Sequence, residues 1–381
     1  MLYIGLDVHK DSWKVSIATE TREHKTFTQA PDPVMLVNYL RKHFPGGHYR
    51  CVYEAGFSGF STARVLKDLG VACMVVNPAD IPTTNREKAS KNDKVDARRL
   101  VRELRSGNMK PICIPSVVAV EDRALVRQRR GIVKKLSRNK TQIRMLLFNL
   151  GVKIPEDIVD KYWSRIFITW IGEQELSSPS GTEALQSLLR ELLFLRSELL
   201  LITRKIRALS RTDAYADSVA LLCGIPGIGM ITAMVLLCEL VDIARFANTD
   251  RLASYVGLIP REHSSGNKVH FGKLTHRSNT HLRNSIIEAA WIASRNDPAL
   301  LALYENAARR MSKTKAIVIV ARRLLNRIRF VLTTGEAYQL GVRETTWSKR
   351  RNGKPEEAKR PGGPLTVRHA DSSRPARSQQ Q

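Results

Sequence analysis

YIGLDVHKDSWKVSIAT, residues 3–19, reads as a strand from about Tyr3, a turn at Lys10-Asp11-Ser12 and a returning strand from Trp13. Apolar and polar residues alternate on both sides of the turn, which is the period of a half-buried strand. Asp7 stands inside the first strand. Asp is poor in strands and costly to bury without a partner. Asp7 is therefore either a turn cap or a ligand for something positive, and the rest of the chain has to decide.

Outward from this hairpin, strands and helices alternate up to about residue 110. HKTFTQ reads as a third strand and PDPVMLVNYLRKHF as a helix with Pro near its start. YRCVYEAG is a fourth strand, and FSTARVLKDLG a helix closed by Gly70. VACMVVNP is a fifth strand, apolar throughout and so expected at the centre of the sheet. NDKVDARRLVRELRSG is a helix capped by Asn92 and ended by Gly107. The pattern predicts an α/β layer opening with antiparallel strands.

Beyond it, Leu185, Leu188, Leu192, Leu195, Leu199, Ile202, Ile206 and Leu209 step by alternating threes and fours. That heptad predicts a coiled coil, either within one chain or between chains. A third, mainly helical region with Gly-rich turns follows, and a Pro-, Ser-, Arg- and Gln-containing tail is expected to be disordered. The expected division is 1–112, 113–215, 216–336 and 337–381.

The formal net charge is +26, from 62 Lys and Arg against 36 Asp and Glu, with 43% hydrophobic residues. So basic a globular chain repels itself unless a polyanion is near, which makes nucleic acid the leading partner. Five scattered cysteines without CxxC or HExxH spacing give neither a zinc site nor a disulfide framework, and fit a reducing cytoplasm. The opening residues read directly as a strand, so no signal peptide is expected. Ser218–Cys238 carries no Lys, Arg or Asp and is long enough for a bilayer, yet Gly224, Pro226, Gly227 and Gly229 break it. Two short buried helices around a turn fit better, and no membrane association is expected.

Four carboxylates stand out. Asp7 lies on the first strand, Glu54 ends the fourth, and Asp93 and Asp96 share one helical face. Such a cluster at strand ends wants hard divalent cations. Each residue also has a plainer role: Asp93 at the positive end of its helix, Asp96 paired with Arg99 or Lys91, and Glu54 as a strand-end surface charge.

GLDVHKDSWKVSI, YEAGFSG, VVNPADIPTTN and KNDKVDARRL together resemble a RuvC-like (RNase H-fold) domain, specifically that of DEDD-type insertion-sequence transposases related to the Piv DNA invertase. LLCGIPGIGMITA, the run Leu252–Arg283 and KAIVIVARRLLNRI resemble that family's C-terminal transposase domain. The resemblance extends to about residue 336. It implies a RuvC-like α/β domain, a helical coiled-coil middle and a mainly α C-terminal domain, with the acidic tetrad on Asp7, Glu54, Asp93 and Asp96 holding Mg²⁺. It also implies a DNA recombinase, guided by a structured bridge RNA and acting as a homo-oligomer.

Two further constellations carry chemistry. GIPGIGMITA reads as two helices around a Gly-rich turn, similar to a helix-hairpin-helix, with Gly227 and Gly229 presenting backbone N–H groups to phosphate. Glycines needed only for a tight turn are the plainer account. The loop Pro260–Arg283 mixes Arg261, Lys268, Lys273 and Arg277 with Gly and Ser, which suits a phosphate backbone. By composition Ser264 and Ser265 are turn residues. The resemblance makes Ser265 the nucleophile, with Ser264 as the alternate. His276-Arg277-Ser278-Asn279 departs from the family's usual Lys-x-Gly-Asn. His263 beside the serines is read as an exposed loop residue.

The alternative is a RuvC-like metal nuclease or junction resolvase without serine chemistry. An actin-like ATPase or sugar kinase also opens with strand-turn-strand and Asp, but it wants Gly and Ser/Thr where this chain has Val8-His9-Lys10.

Overall fold

Strands β1 (Leu2–Val8), β2 (Trp13–Ala18) and β3 (Glu23–Gln29) run antiparallel, and β4 (Tyr49–Glu54) and β5 (Ala72–Val76) extend β1 in parallel, in the order β3-β2-β1-β4-β5. Parallel neighbours need crossovers, which α1 (Pro33–His43) and α2 (Ser61–Asp68) supply. Asp32 caps α1 by accepting from the Val34 N–H at 2.7 Å, and Pro33 opens the helix without wasting a donor. The computed structural model describes residues 1–82, 93–262 and 271–340. They divide between two units: Met1–Ala216 with Ala233–Arg245, and Asp217–Thr232 with the chain from Phe246 onward.

The period of two along β1 sorts its side chains. Leu2, Ile4 and Leu6 enter one core with Leu36, Leu40, Ala63 and Leu66 of α1 and α2. Tyr3 turns to the other face, where Leu100 and Leu104 of α3 (Asp93–Arg105) pack with Val52 and Val76. Asp7 follows Tyr3 and Gly5 on this second face. Gly5 makes the packing possible: a Cβ there would lie 2.5 Å from the Ala97 carbonyl oxygen and 2.9 Å from Leu100 Cβ. Strand and helix backbones therefore meet with no side chain between them.

β5 is not central, as its apolar sequence led us to expect, but the last strand of the sheet. Its hydrophobicity has another cause. Val75 and Val76 are buried on opposite faces, and residues 111–112 cover the edge through a Val76–Pro111 bridge and an Ile112 N–H to Val75 carbonyl bond of 2.8 Å.

The heptad helix α7 (Pro179–Leu209) packs antiparallel against α4 (Val117–Asn149) of the same chain, with Arg129 meeting Thr203 and Asn139 meeting Leu188. The short helices α5 (Glu156–Val159) and α6 (Arg165–Gly172) close the end, adding Ile158, Phe167 and Ile171 to a core with Ile143, Leu147, Leu185 and Leu192. Asn139 is buried there, and its amide donates to the Leu188 carbonyl at 3.1 Å and to Glu191 at 3.0 Å. A buried amide so bonded fixes register against sliding.

Ser218–Cys238 forms two helices around a turn, α8 (Ala216–Cys223) and the start of α9 (Met230–Leu240). Among the described residues no helix is long and apolar enough to cross a membrane. From Ala233 onward α9 belongs with the first unit. Its Glu239 is fully buried and takes a two-pronged contact from Arg127, at 2.6 and 2.7 Å.

The second unit packs α10 (Thr249–Val256), α11 (Thr280–Asn296), α12 (Pro298–Ala308) and α13 (Lys313–Thr334) beside a two-stranded hairpin, β6 (Pro260–Glu262) and β7 (Phe271–Leu274). Asp297 joins several parts of it. Fully buried, it caps α12 through the Leu300 N–H at 3.0 Å, pairs with Arg327 of α13 at 2.5 Å and accepts from the Tyr338 hydroxyl. Burial raises its carboxyl, but the bonds from Tyr338, Leu300 and Arg327 outweigh burial and hold it below the ordinary 3.8.

Two outcomes follow from this packing. Gly5→Ala forces α3 off the sheet and costs about 3 kcal/mol, read as a drop in denaturant midpoint. A depressed folded pKa contributes stability above the unfolded value, lost as pH falls through the folded one. Asp297→Asn therefore destabilises the second unit by roughly 3 kcal/mol at neutral pH, and the two melting curves draw together as pH falls below the ordinary carboxylate range.

Candidate functional site

Asp7 and Glu54 reach the same edge by strand geometry. β1 and β4 are parallel and in register from Leu2–Tyr49 to Leu6–Tyr53, so Asp7 and Glu54 come next on adjacent strands. Leu6 and Tyr53 point to the α1/α2 core, so their successors point to the α3 face. Asp93 is the first residue of α3 and Asp96 lies three further on. Because Gly5 seats Ala97 directly on β1, the first turn of α3 stands over the ends of β1 and β4.

Each described acid has a positive or polar partner. Asp7 Oδ2 lies 3.0 Å from Nε2 of His9, which follows directly after the end of β1. One terminal nitrogen of Arg99 donates to Glu54 Oε1 at 2.9 Å and also lies 3.2 Å from Asp96 Oδ1. Burial pushes the Glu54 carboxyl up. Arg99 opposes that shift, while the charges of Asp96 and Asp7 add to it. Three acids brought from two strands and a helix thus act on one another in one field. Their donor chemistry, carboxylate oxygen only, fits a hard divalent cation. Among the described residues, no three His, Cys, Asp or Glu side chains already stand in a metal-ligating group.

His9 and the dual role of Arg99 were not anticipated. The Asp96–Arg99 pair is legible from its spacing of three. The Glu54–Arg99 contact spans 45 residues and leaves no local signal.

The second unit holds the other candidates. β6 and β7 carry Arg261 and Lys273 on paired strands, and Arg277 follows in the turn that leads to α11. Ser264, Ser265, His263 and Lys268 fall outside the described residues, as do Lys91, Asn92 and the tail from 341. Ser278 packs against Gly257, and among the described residues its Oγ has no hydrogen-bond partner. Gly227 has a packing reason of its own. Its φ is +86°, and a Cβ would lie 2.3 Å from the Ala289 carbonyl oxygen of α11. Gly229, by contrast, borders open space just before α9. An open cleft of about 400 Å³ lies elsewhere, lined by Pro155, Ile158, Ile166 and Trp170, and none of these acids borders it.

Residues 4–150 match the model of a DEDD transposase family of the IS110 type, and residues 219–305 match that of the IS116/IS110/IS902 transposase family. The chain is 28% identical over 254 residues to the transposase for insertion sequence element IS1533 of Leptospira borgpetersenii, covering 65% of this chain and 72% of that one. It is 28% identical over 295 residues to the putative transposase y4qE of Sinorhizobium fredii, with 76% and 71% covered. It is 25% identical over 284 residues to the transposase for IS1111A of Coxiella burnetii, with 73% and 76% covered.

A carboxyl raised above its ordinary 4.5 adds stability below that value and loses it as pH rises through the folded one. Ionised Glu54 therefore costs stability at neutral pH. In chelator, Glu54→Gln, which keeps an acceptor for Arg99, raises the melting temperature at pH 7 by roughly 1–3 °C. The gain disappears near pH 4.

Proposed function

We propose that the chain is an insertion-sequence transposase of the IS110/IS116 family, DEDD-type in its N-terminal part, and that Asp7, Glu54, Asp93 and Asp96 serve its DNA chemistry by holding Mg²⁺ at the scissile phosphate. The observation that carries this reading is geometric: Asp7 and Glu54 follow the in-register pair Leu6–Tyr53 on adjacent strands, and Arg99 joins Glu54 to Asp96. The strand order β3-β2-β1-β4-β5 supports a RuvC-like assignment for this part.

Bound Mg²⁺ supplies charge neutralisation at the phosphate and at the leaving oxygen. The four carboxylates fix its place relative to the sheet. Ser265, with Ser264 as alternate, is the nucleophile: its Oγ forms a bond to phosphorus as the bond to the leaving sugar oxygen breaks. The phosphoserine ester conserves the bond energy, and attack by a DNA hydroxyl on the same phosphorus releases the serine and rejoins the strand. Arg261, Lys268, Lys273 and Arg277 neutralise the backbone beside it, and the turn at Gly227 and Gly229 adds N–H donors to phosphate.

The partners proposed are DNA and a structured bridge RNA, in the cytoplasm, with a homo-oligomer completing a composite site. The net charge of +26 supports a polyanion partner. A second stripe on α7 supports self-association: Leu193, Phe194, Leu200 and Leu201 are each about half exposed or more, seven residues apart in pairs.

The test uses DNA carrying the element's ends together with its adjoining non-coding RNA. Asp7→Asn and Glu54→Gln each reduce strand cleavage by about 10²-fold or more. Ser265→Ala abolishes the covalent protein–DNA adduct seen on denaturing gels. If that variant still cleaves and wild type forms no adduct, the chain is a metal nuclease of the resolvase kind.

A further inference from the structure

We propose that Arg99 is a positioning residue for the carboxylate site: it holds Glu54 and Asp96 together when no divalent cation is bound, and yields them to one that is. The inference rests on the tetrad reading above and deepens it.

The geometry differs from that of a stabilising ion pair in the same unit. Arg127 grips one carboxylate, Glu239, with two nitrogens at 2.6 and 2.7 Å. Such a fork is the strong arrangement. Arg99 instead divides one nitrogen between two carboxylates on different elements, at 2.9 Å to Glu54 and 3.2 Å to Asp96. Its buried Nε has no hydrogen-bond partner among the described residues. A buried cation that leaves a donor idle is poorly placed for its own stability. It is well placed to offset two acids at once. The side chain of Arg99 is 12% exposed, against 22% for Asp96 and 33% for Glu54. The guanidinium side chain is thus less exposed than either acid that it joins.

The electrostatics agree. Arg99 lowers the Glu54 carboxyl, against burial and against the charges of Asp96 and Asp7. A divalent cation brings twice that charge to the same oxygens, so cation and Arg99 compete for one job. Without either, two acids face each other in a half-buried setting and repel. Arg99 keeps strand and helix in register for the ion that follows.

The test is thermal melting of the full chain in chelator and in millimolar Mg²⁺ or Mn²⁺. Arg99→Gln lowers the melting temperature in chelator by about 5 °C and by less than half of that with the cation present. The linked result is a cation midpoint lowered at least about fivefold. Arg99→Lys, which keeps a single charge, falls between wild type and Arg99→Gln and guards against a variant that fails to fold. Equal losses with and without cation make Arg99 an ordinary structural ion pair and overturn the proposal alone, provided that wild type responds to cation and Glu54→Gln does not. A wild type that melts identically in chelator and cation overturns both this proposal and the tetrad reading.

Discussion

At Gly5 the backbone of a helix lies directly on the backbone of a strand, and the acidic edge follows from that contact. Two parallel strands deliver Asp7 and Glu54 side by side, but only on the face to which α3 packs. The absent side chain at Gly5 lets Ala97 settle onto β1, and with it the turn carrying Asp93 and Asp96. Any larger residue would lift the helix by the thickness of a methyl group. A carboxylate site of the kind proposed above tolerates little of that.

Charge is handled in contrasting ways within one chain. Glu239 and Asp297 are fully buried, and each is held by arginine in a tight, direct contact. Breaking such pairs is expensive, so they anchor helices. Glu54 is half buried, pushed up by neighbouring acids and held by a divided contact. The same residue types give fixed joints in the cores and an adjustable one at the edge, because burial and bond geometry differ.

The sheet, and with it the positions of Asp7 on β1 and Glu54 at the end of β4, was largely legible in the sequence, since period two and turn chemistry are local signals. The placement of β5 was not: a strand covered on both faces is apolar whether it lies at the centre or the edge, and its cover comes from Pro111 and Ile112, far along the chain. The heptad from Leu185 to Leu209 announced a helix and its sticky side and left open whether the partner lay in the same chain or another; it is α4 of the same chain. The strands at Pro260–Glu262 and Phe271–Leu274 are too short, in a Gly- and Ser-rich basic run, to give a period. Gly227 was read for phosphate, whereas the approach of Ala289 is a tertiary fact that no spacing reveals.

The path of the chain between the two units has a practical consequence. Residues 1–216 and 233–245 belong to one, while 217–232 and the chain from 246 belong to the other. A fragment ended at residue 216 would lack the helix that brings Glu239, leaving Arg127 without its buried acid. The halves are laced rather than strung in series. A graft between relatives must therefore carry residues 233–245 along with the front half, and no single cut yields both pieces whole.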